Sequence, residues 1–158
     1  MSIPKIGKTA PDFEVLDDTG ETIHLSDYLG KEVVLYFYPK ADTPGCTKEA
    51  CAFRDDYSAY SDRGIVILGV SPDSVKNQAR FKQKFHLPFP LLADEDHKIS
   101  ESYGVWGPKK FAGKEYEGIH RTTFLIDPQG KIKQVFEKVK PAEHSKEILE
   151  AFKKDAIL

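Results

Sequence analysis

Val33-Val34-Leu35-Tyr36-Phe37-Tyr38-Pro39 leads into Thr43-Pro44-Gly45-Cys46-Thr47-Lys48-Glu49-Ala50-Cys51. The first run is apolar throughout, as expected of a strand at the centre of a sheet. The second opens a stretch with helical spacing. Thr43 suits the N-cap, because a hydroxyl there can accept from a backbone N–H one turn on. Pro44 falls at the first helical position, where its missing N–H costs nothing. Cys46 lands in the first turn, among unpaired N–H groups at the positive end of the helix dipole. Such sites lower a thiol from roughly 8.5 by one or more units, each worth about 1.4 kcal/mol. A shift to about 6 would make the thiolate the main form at neutral pH.

Cys46 and Cys51 are the only cysteines in 158 residues. On a helix, five residues place Cys51 about 140° around from Cys46 and roughly 8.6 Å away between Cα atoms. A disulfide needs less than about 7 Å, so an intact helix forbids one. A two-step redox site follows as an expectation: Cys46 reacts with an oxidant, the helix opens locally, and Cys51 captures the sulfur. Three plainer readings compete. Cys46 shares an apolar stripe with Ala50, Phe53, Tyr57 and Tyr60, so it could be an inert core thiol. A structural disulfide would close so short a loop that it contributes only about 2 kcal/mol before subtracting the lost helix. Metal binding lacks ligands, since there is no C-x₂-C and the five histidines are scattered. No metal or cofactor is expected.

Outward from this stretch, Ile65–Ser71 reads as a second buried strand, and strand–helix–strand at this spacing implies a right-handed parallel crossover. The helix between them should run from about 44 to 62, with Gly64 ending it. Upstream, Phe13–Leu16 and Thr22–Leu25 flank the turn cluster Asp17-Asp18-Thr19-Gly20, which predicts a hairpin; Ser26–Gly30 reads as a short helical turn. Downstream, a helix is expected over 73–86, capped by Asp73 or Ser74, with Val75, Phe81 and Phe85 on one side and Pro88 and Pro90 stopping it. A short strand Pro90–Ala93 and a short helix Asp94–Tyr103 follow. Residues 107–120, rich in Gly and Lys, read as an exposed loop. Thr122–Asp127 and Lys131–Glu137 pair around Pro128-Gln129-Gly130. Pro141 opens a last helix with Ile148, Leu149 and Phe152 inward. Parallel crossovers followed by an antiparallel hairpin define an α/β chain: a mixed central sheet with helices on both faces. A thioredoxin-like fold satisfies that order, with the N-terminal β-hairpin as an extension.

The length favours one domain, 1–158, large enough to bury about two-thirds of its unfolded surface without a disulfide staple. Net charge is −2, with both signs interspersed, which argues against a nucleic-acid partner. Met1–Lys8 shows no apolar core of a signal peptide. No apolar run approaches the roughly 20 residues that span a bilayer. A reducing cytoplasm is therefore expected, where a cysteine pair is more often catalytic than structural.

Pro39-Lys40-Ala41-Asp42-Thr43-Pro44-Gly45-Cys46 resembles the P-x-x-x-T-x-x-C signature of the peroxiredoxins, and Cys51 five residues on resembles their Q-type, bacterioferritin comigratory subgroup. Ala10-Pro11-Asp12-Phe13, Tyr103-Gly104-Val105-Trp106-Gly107 and Arg121-Thr122-Thr123-Phe124-Leu125-Ile126-Asp127 extend the likeness over nearly the whole chain. The resemblance implies the same thioredoxin-like fold and a thiol-dependent peroxidase. Cys46 would attack a hydroperoxide and become a sulfenic acid, Cys51 would resolve it, and thioredoxin or a similar dithiol protein would reduce the disulfide. The subgroup implies a monomer. Arg121, at the start of an apolar strand, would serve thiolate and leaving oxygen; Thr43 could offer its hydroxyl to the same oxygen. Pro39 would shield the thiol and shape the turn. Glu49 has two readings, orienting a basic group or a solvated helix carboxylate. Trp106 reads as core rather than pocket wall, and His120 has no inferred role. A dithiol/disulfide oxidoreductase is the alternative enzyme, although it would normally carry C-x₂-C; a non-enzymatic binding module with buried thiols is the other rival.

Overall fold

The computed structural model describes residues 3–157. Its centre is a five-stranded sheet. β3 (Val33–Phe37) lies in the middle, paired in parallel with β4 (Val66–Ser71) and antiparallel with β8 (Thr122–Ile126). β5 (Leu91–Ala93) extends the sheet beyond β4 in parallel, and β9 (Ile132–Phe136) extends it beyond β8 antiparallel, giving the order β5-β4-β3-β8-β9. β1 (Glu14–Leu16) and β2 (Thr22–His24) form the expected N-terminal hairpin. The mixed α/β fold is thus the one expected, thioredoxin-like with an N-terminal extension.

All five residues of β3 are fully buried, and their alternation divides the core. Val33, Leu35 and Phe37 face one side, with Phe13 and Leu25 from the N-terminal segment and Ile99 and Tyr103 around α4 (Lys98–Ser102). Val34, Tyr36 and Tyr38 face the other, against Ala50 and Phe53 of α1 (Pro44–Asp55), Tyr60 of α2 (Tyr57–Ser61), Phe81 of α3 (Val75–Phe85) and Ile148 and Phe152 of α5 (His144–Ile157). Two-residue periodicity in a strand buried on both sides produces this split. Tyr36 stands over β4, where a side chain on Gly69 would place its Cβ 2.9 Å from the Tyr36 ring. Gly69 is therefore a packing requirement.

Several boundaries differ from the expectations. The single helix 44–62 is two helices: α1 ends at Asp55 and Asp56 leaves helical geometry at φ −96°, ψ 6°. The apolar spacing continues across the break, so periodicity could not reveal it. What holds the break is distant in sequence: Asp56 accepts from Ser145 Oγ at 2.8 Å, and Tyr60 donates to the Ser145 carbonyl at 2.7 Å. Residues 107–120 are not a loop. Trp106–Phe111 (β6) and Lys114–Ile119 (β7) pair as a regular antiparallel hairpin, turning through Ala112 and Gly113, both at positive φ. α3 is capped by Ser74, whose hydroxyl accepts from Asn77 N. His86 in the left-handed conformation ends it, before either proline. Its buried face is Gln78 with Phe81; Val75 is only partly buried. α4 is shorter than the expected 94–103, because Asp94 accepts from the Ile99 and Ser100 backbone N–H groups as a side-chain cap. α5 begins at His144, three residues after Pro141.

Candidate active site

The site forms where the chain leaves β3 and enters α1. The turn between them is pinned from α3's side of the sheet. Asp73 accepts from Ala41 N at 2.7 Å, and Asp42, at φ +60°, pairs with Lys84 at 2.9 Å. Aspartate tolerates that conformation better than most side chains. Beneath, Tyr38 donates to Gln78 Oε1 at 2.6 Å, and Gln78 donates to Ser71 Oγ and the Leu92 carbonyl. This buried network, fully hydrogen-bonded, fixes the floor of the turn.

Thr43 occupies the N-cap position with Pro44 inside it, but its hydroxyl does not cap the helix. It donates to the Lys40 carbonyl at 2.8 Å, so the role of N-terminal acceptor expected of it is not filled. With its proton directed to Lys40, the oxygen keeps lone pairs to accept with. Pro39 is half-buried at the end of the strand.

Cys46 lies in the first turn of α1, with 1% of its surface exposed. Burial on the apolar stripe and a polar contact occur together, because Arg121 Nη2 donates to Sγ at 3.2 Å. The same guanidinium donates through Nη1 to Glu49 Oε1 at 2.6 Å. Glu49 is fully buried, so it is not a solvated carboxylate. It sits three residues after Cys46, on the same face of α1. Burial pushes its carboxyl up to about 7, even though Arg121 pulls the other way. Arg121 immediately precedes β8, as its sequence position implied. Gly45 makes room for it, since a Cβ there would stand 3.2 Å from Nη2. A glycine inside a helix costs about 1 kcal/mol relative to alanine, and here it buys close approach of the cation.

Cys51 is partly buried and is a free thiol, as is Cys46. Burial pushes its thiol up from the ordinary value. The β6–β7 hairpin root closes the lead-in to Arg121: His120 Nε2 lies 3.1 Å from the Pro108 carbonyl. Trp106 is half-buried, packs against the edge of the core on the Phe37 side of the sheet, and stacks flat on His97, 4.0 Å between ring centres. An apolar cleft lined by Leu25, Tyr28, Val33 and Ile126 among others lies at the opposite end of β3 from Cys46. It brings no cysteine. Among the described residues no three His, Cys, Asp or Glu side chains are grouped to hold a metal, and no helix is long and apolar enough to cross a membrane.

Of the residues singled out in the sequence, the structure brings Arg121 against Cys46, together with Glu49, which sequence reasoning left undecided; Thr43 stands at the start of the same helix and Cys51 further along it. It missed His144, which is buried with Nε2 2.7 Å from Thr123 Oγ1 and Nδ1 3.0 Å from Glu147. Nothing local to His144 signals a partner 21 residues away.

A thioredoxin-like sheet carrying a buried first-turn cysteine against an arginine–glutamate pair defines a thiol-dependent peroxidase. The AhpC/TSA family model matches residues 6–135. Peroxiredoxin Bcp of Bacillus subtilis is 52% identical over 149 residues, covering 94% of this chain and 95% of that protein. Peroxiredoxin Bcp of Escherichia coli K12 is 47% identical, covering 99% and 100%. The solved bacterioferritin comigratory protein of Xanthomonas campestris superposes with a TM-score of 0.89 at 36% identity, covering 96% of this chain and 99% of that one. The PrxQ of Xylella fastidiosa gives 0.90 at 33%, covering 96% and 97%. The chain belongs to the AhpC/TSA family, in its Q-type peroxiredoxin branch.

Proposed function

We propose that the chain reduces hydrogen peroxide and organic hydroperoxides through Cys46, with Cys51 as the resolving thiol. The observation that carries this reading is the single guanidinium of Arg121 shared between Cys46 Sγ and buried Glu49. The Cys46 thiolate attacks one peroxide oxygen. An S–O bond forms, the O–O bond breaks, and the departing oxygen takes a proton to leave as water or an alcohol. The sulfur is oxidised by two electrons to a sulfenic acid. Arg121 supplies positive charge where the leaving oxygen becomes negative, and Glu49 fixes its fork. Thr43, donating to Lys40, accepts from the incoming peroxide and orients it. Pro39 shields the sulfur from solvent.

Resolution requires α1 to unwind at its start, since an intact helix holds the cysteines roughly 8.6 Å apart at Cα against the limit of about 7 Å. Cys51 then loses its proton and attacks the Cys46 sulfur; an S–S bond forms and water leaves. Thioredoxin, or a similar dithiol protein, restores both thiols by exchange. The alkyl peroxide reduction activity of the Xanthomonas relative supports the substrate class. The reading further takes residues 1–158 as one domain, acting as a monomer in a reducing cytoplasm, without metal, nucleic acid or membrane.

The test is peroxidase turnover with thioredoxin. Cys46→Ser should abolish peroxide consumption, whereas Cys51→Ser should consume one equivalent and stop. Full turnover by Cys51→Ser with thioredoxin alone would overturn the resolving role, and activity in Cys46→Ser the whole assignment.

A further inference from the structure

Lys109 differs from the other lysines of the β6–β7 hairpin. Lys110 and Lys114 are exposed, but Lys109 is half-buried. Its stem crosses Gly118, where a Cβ would stand 3.2 Å from Lys109 Cδ. Its ammonium donates to the Ile119 carbonyl at 2.8 Å. Ile119 lies two residues before Arg121, and His120 between them meets the Pro108 carbonyl next to Lys109. The hairpin root thus grips both residues that deliver Arg121 to Cys46. The ammonium also lies within the field of the site. Burial and Arg121 push Lys109 below the ordinary lysine range, while Cys46 pulls it upward.

We propose that Lys109 is a positioning residue for the peroxidase reaction: it locks the chain that carries Arg121 and adds a second positive charge to the field at the Cys46 sulfur. Holding an ammonium half-buried beside a guanidinium is costly, and negative charge on the Cys46 sulfur offsets part of that cost. No new bond is made or broken by Lys109; it favours the anionic sulfur and the oxygen leaving it. Glycine at 118 suits the same arrangement, because a Cβ there would press on both the Lys109 stem at 3.2 Å and the Tyr116 ring at 3.3 Å.

The inference rests on Cys46 as the attacking sulfur, which loss of all activity in Cys46→Ser tests separately. Rapid mixing of the reduced protein with hydrogen peroxide reads the first step. Lys109→Met should slow it about tenfold, while Lys109→Arg keeps it within about twofold, because charge and donor survive. Lys110→Met, which removes an exposed lysine that pairs with Glu115 at 3.6 Å, should leave the rate unchanged and so separates a local field from net charge. Wild-type speed in Lys109→Met, or equal slowing in Lys109→Arg, overturns the proposal. Should Lys109→Met fail to fold, a folded Lys109→Gln at wild-type speed overturns it as well.

Discussion

Arg121 and Glu49 meet at 2.6 Å, with the Glu49 side chain fully buried and that of Arg121 19% exposed. The pair spans from the lead-in of β8 to the first turns of α1, and Cys46 completes it through the second arm of the fork. The arm that reaches the sulfur is therefore aimed by a carboxylate that water does not reach.

Arg121→Lys keeps the charge and loses the two-armed geometry. We expect the peroxide step to slow about 100-fold, read by rapid mixing, with Glu49→Gln slowing it less because the amide still accepts one hydrogen bond. An undiminished rate in Arg121→Lys would remove the arginine from the reaction.

The Glu49 carboxyl sits at about 7 in the folded protein, above its ordinary 4.5, chiefly because of burial. A raised acid binds more protons folded than unfolded between those values, so its contribution to stability is present below about 4.5 and lost as pH rises through 7. Burial lowers His144 from 6.5, and that group has the opposite slope: its contribution is present above 6.5 and lost as pH falls. In a Cys46→Ser background, Glu49→Gln should gain on its parent between pH 5 and 8, by about 1–3 kcal/mol in urea titrations. His144→Gln should instead lose its deficit on acidification. A Glu49→Gln difference independent of pH would contradict the burial argument.

Gly69→Ala would drive a methyl into Tyr36 at 2.9 Å and Leu91 at 3.0 Å. Both are fully buried, so neither can swing away. Overpacking of this kind costs about 1–3 kcal/mol, measurable as a lower urea midpoint with an unchanged slope.

Thr43→Ser keeps the hydroxyl that bonds Lys40, and Thr43→Val removes it. The first should retain most of the peroxide rate, and the second should lose about tenfold or more. Equal rates would mean that the hydroxyl serves only the turn.

Oxidation by one equivalent of peroxide should raise hydrogen exchange over residues 44–52 and spare 53–61. Phe53 is buried against the His144 ring, 6.0 Å between centres, and Asp56 and Tyr60 are bonded to Ser145. Exchange rising evenly through residue 61 would show that α5 does not restrain the helix.

The sheet and the cysteine's place were legible because they are written locally: a run of six buried residues, then Thr-Pro at a helix start. Arg121 was legible as the residue before an apolar strand. Glu49 carried a usable sign in its spacing of three from Cys46, but only burial could decide between its readings. The break at Asp56 and the role of His144 were not legible, because Ser145 and Thr123 lie far off in the chain. The β6–β7 hairpin was hidden by glycine and lysine. Its strands pair with each other at the surface, so they lack the alternation that burial imposes.

The α1–α2 break has one more consequence. A free helix must nucleate before it grows, with a penalty of order 10⁻³. If the first turns melt on oxidation, as proposed, the chain just beyond α1 would stay fastened to Ser145 and hold that end of the helix in place. After reduction the chain would then refold backward from Phe53 toward Pro44, one residue at a time, from an end already in place.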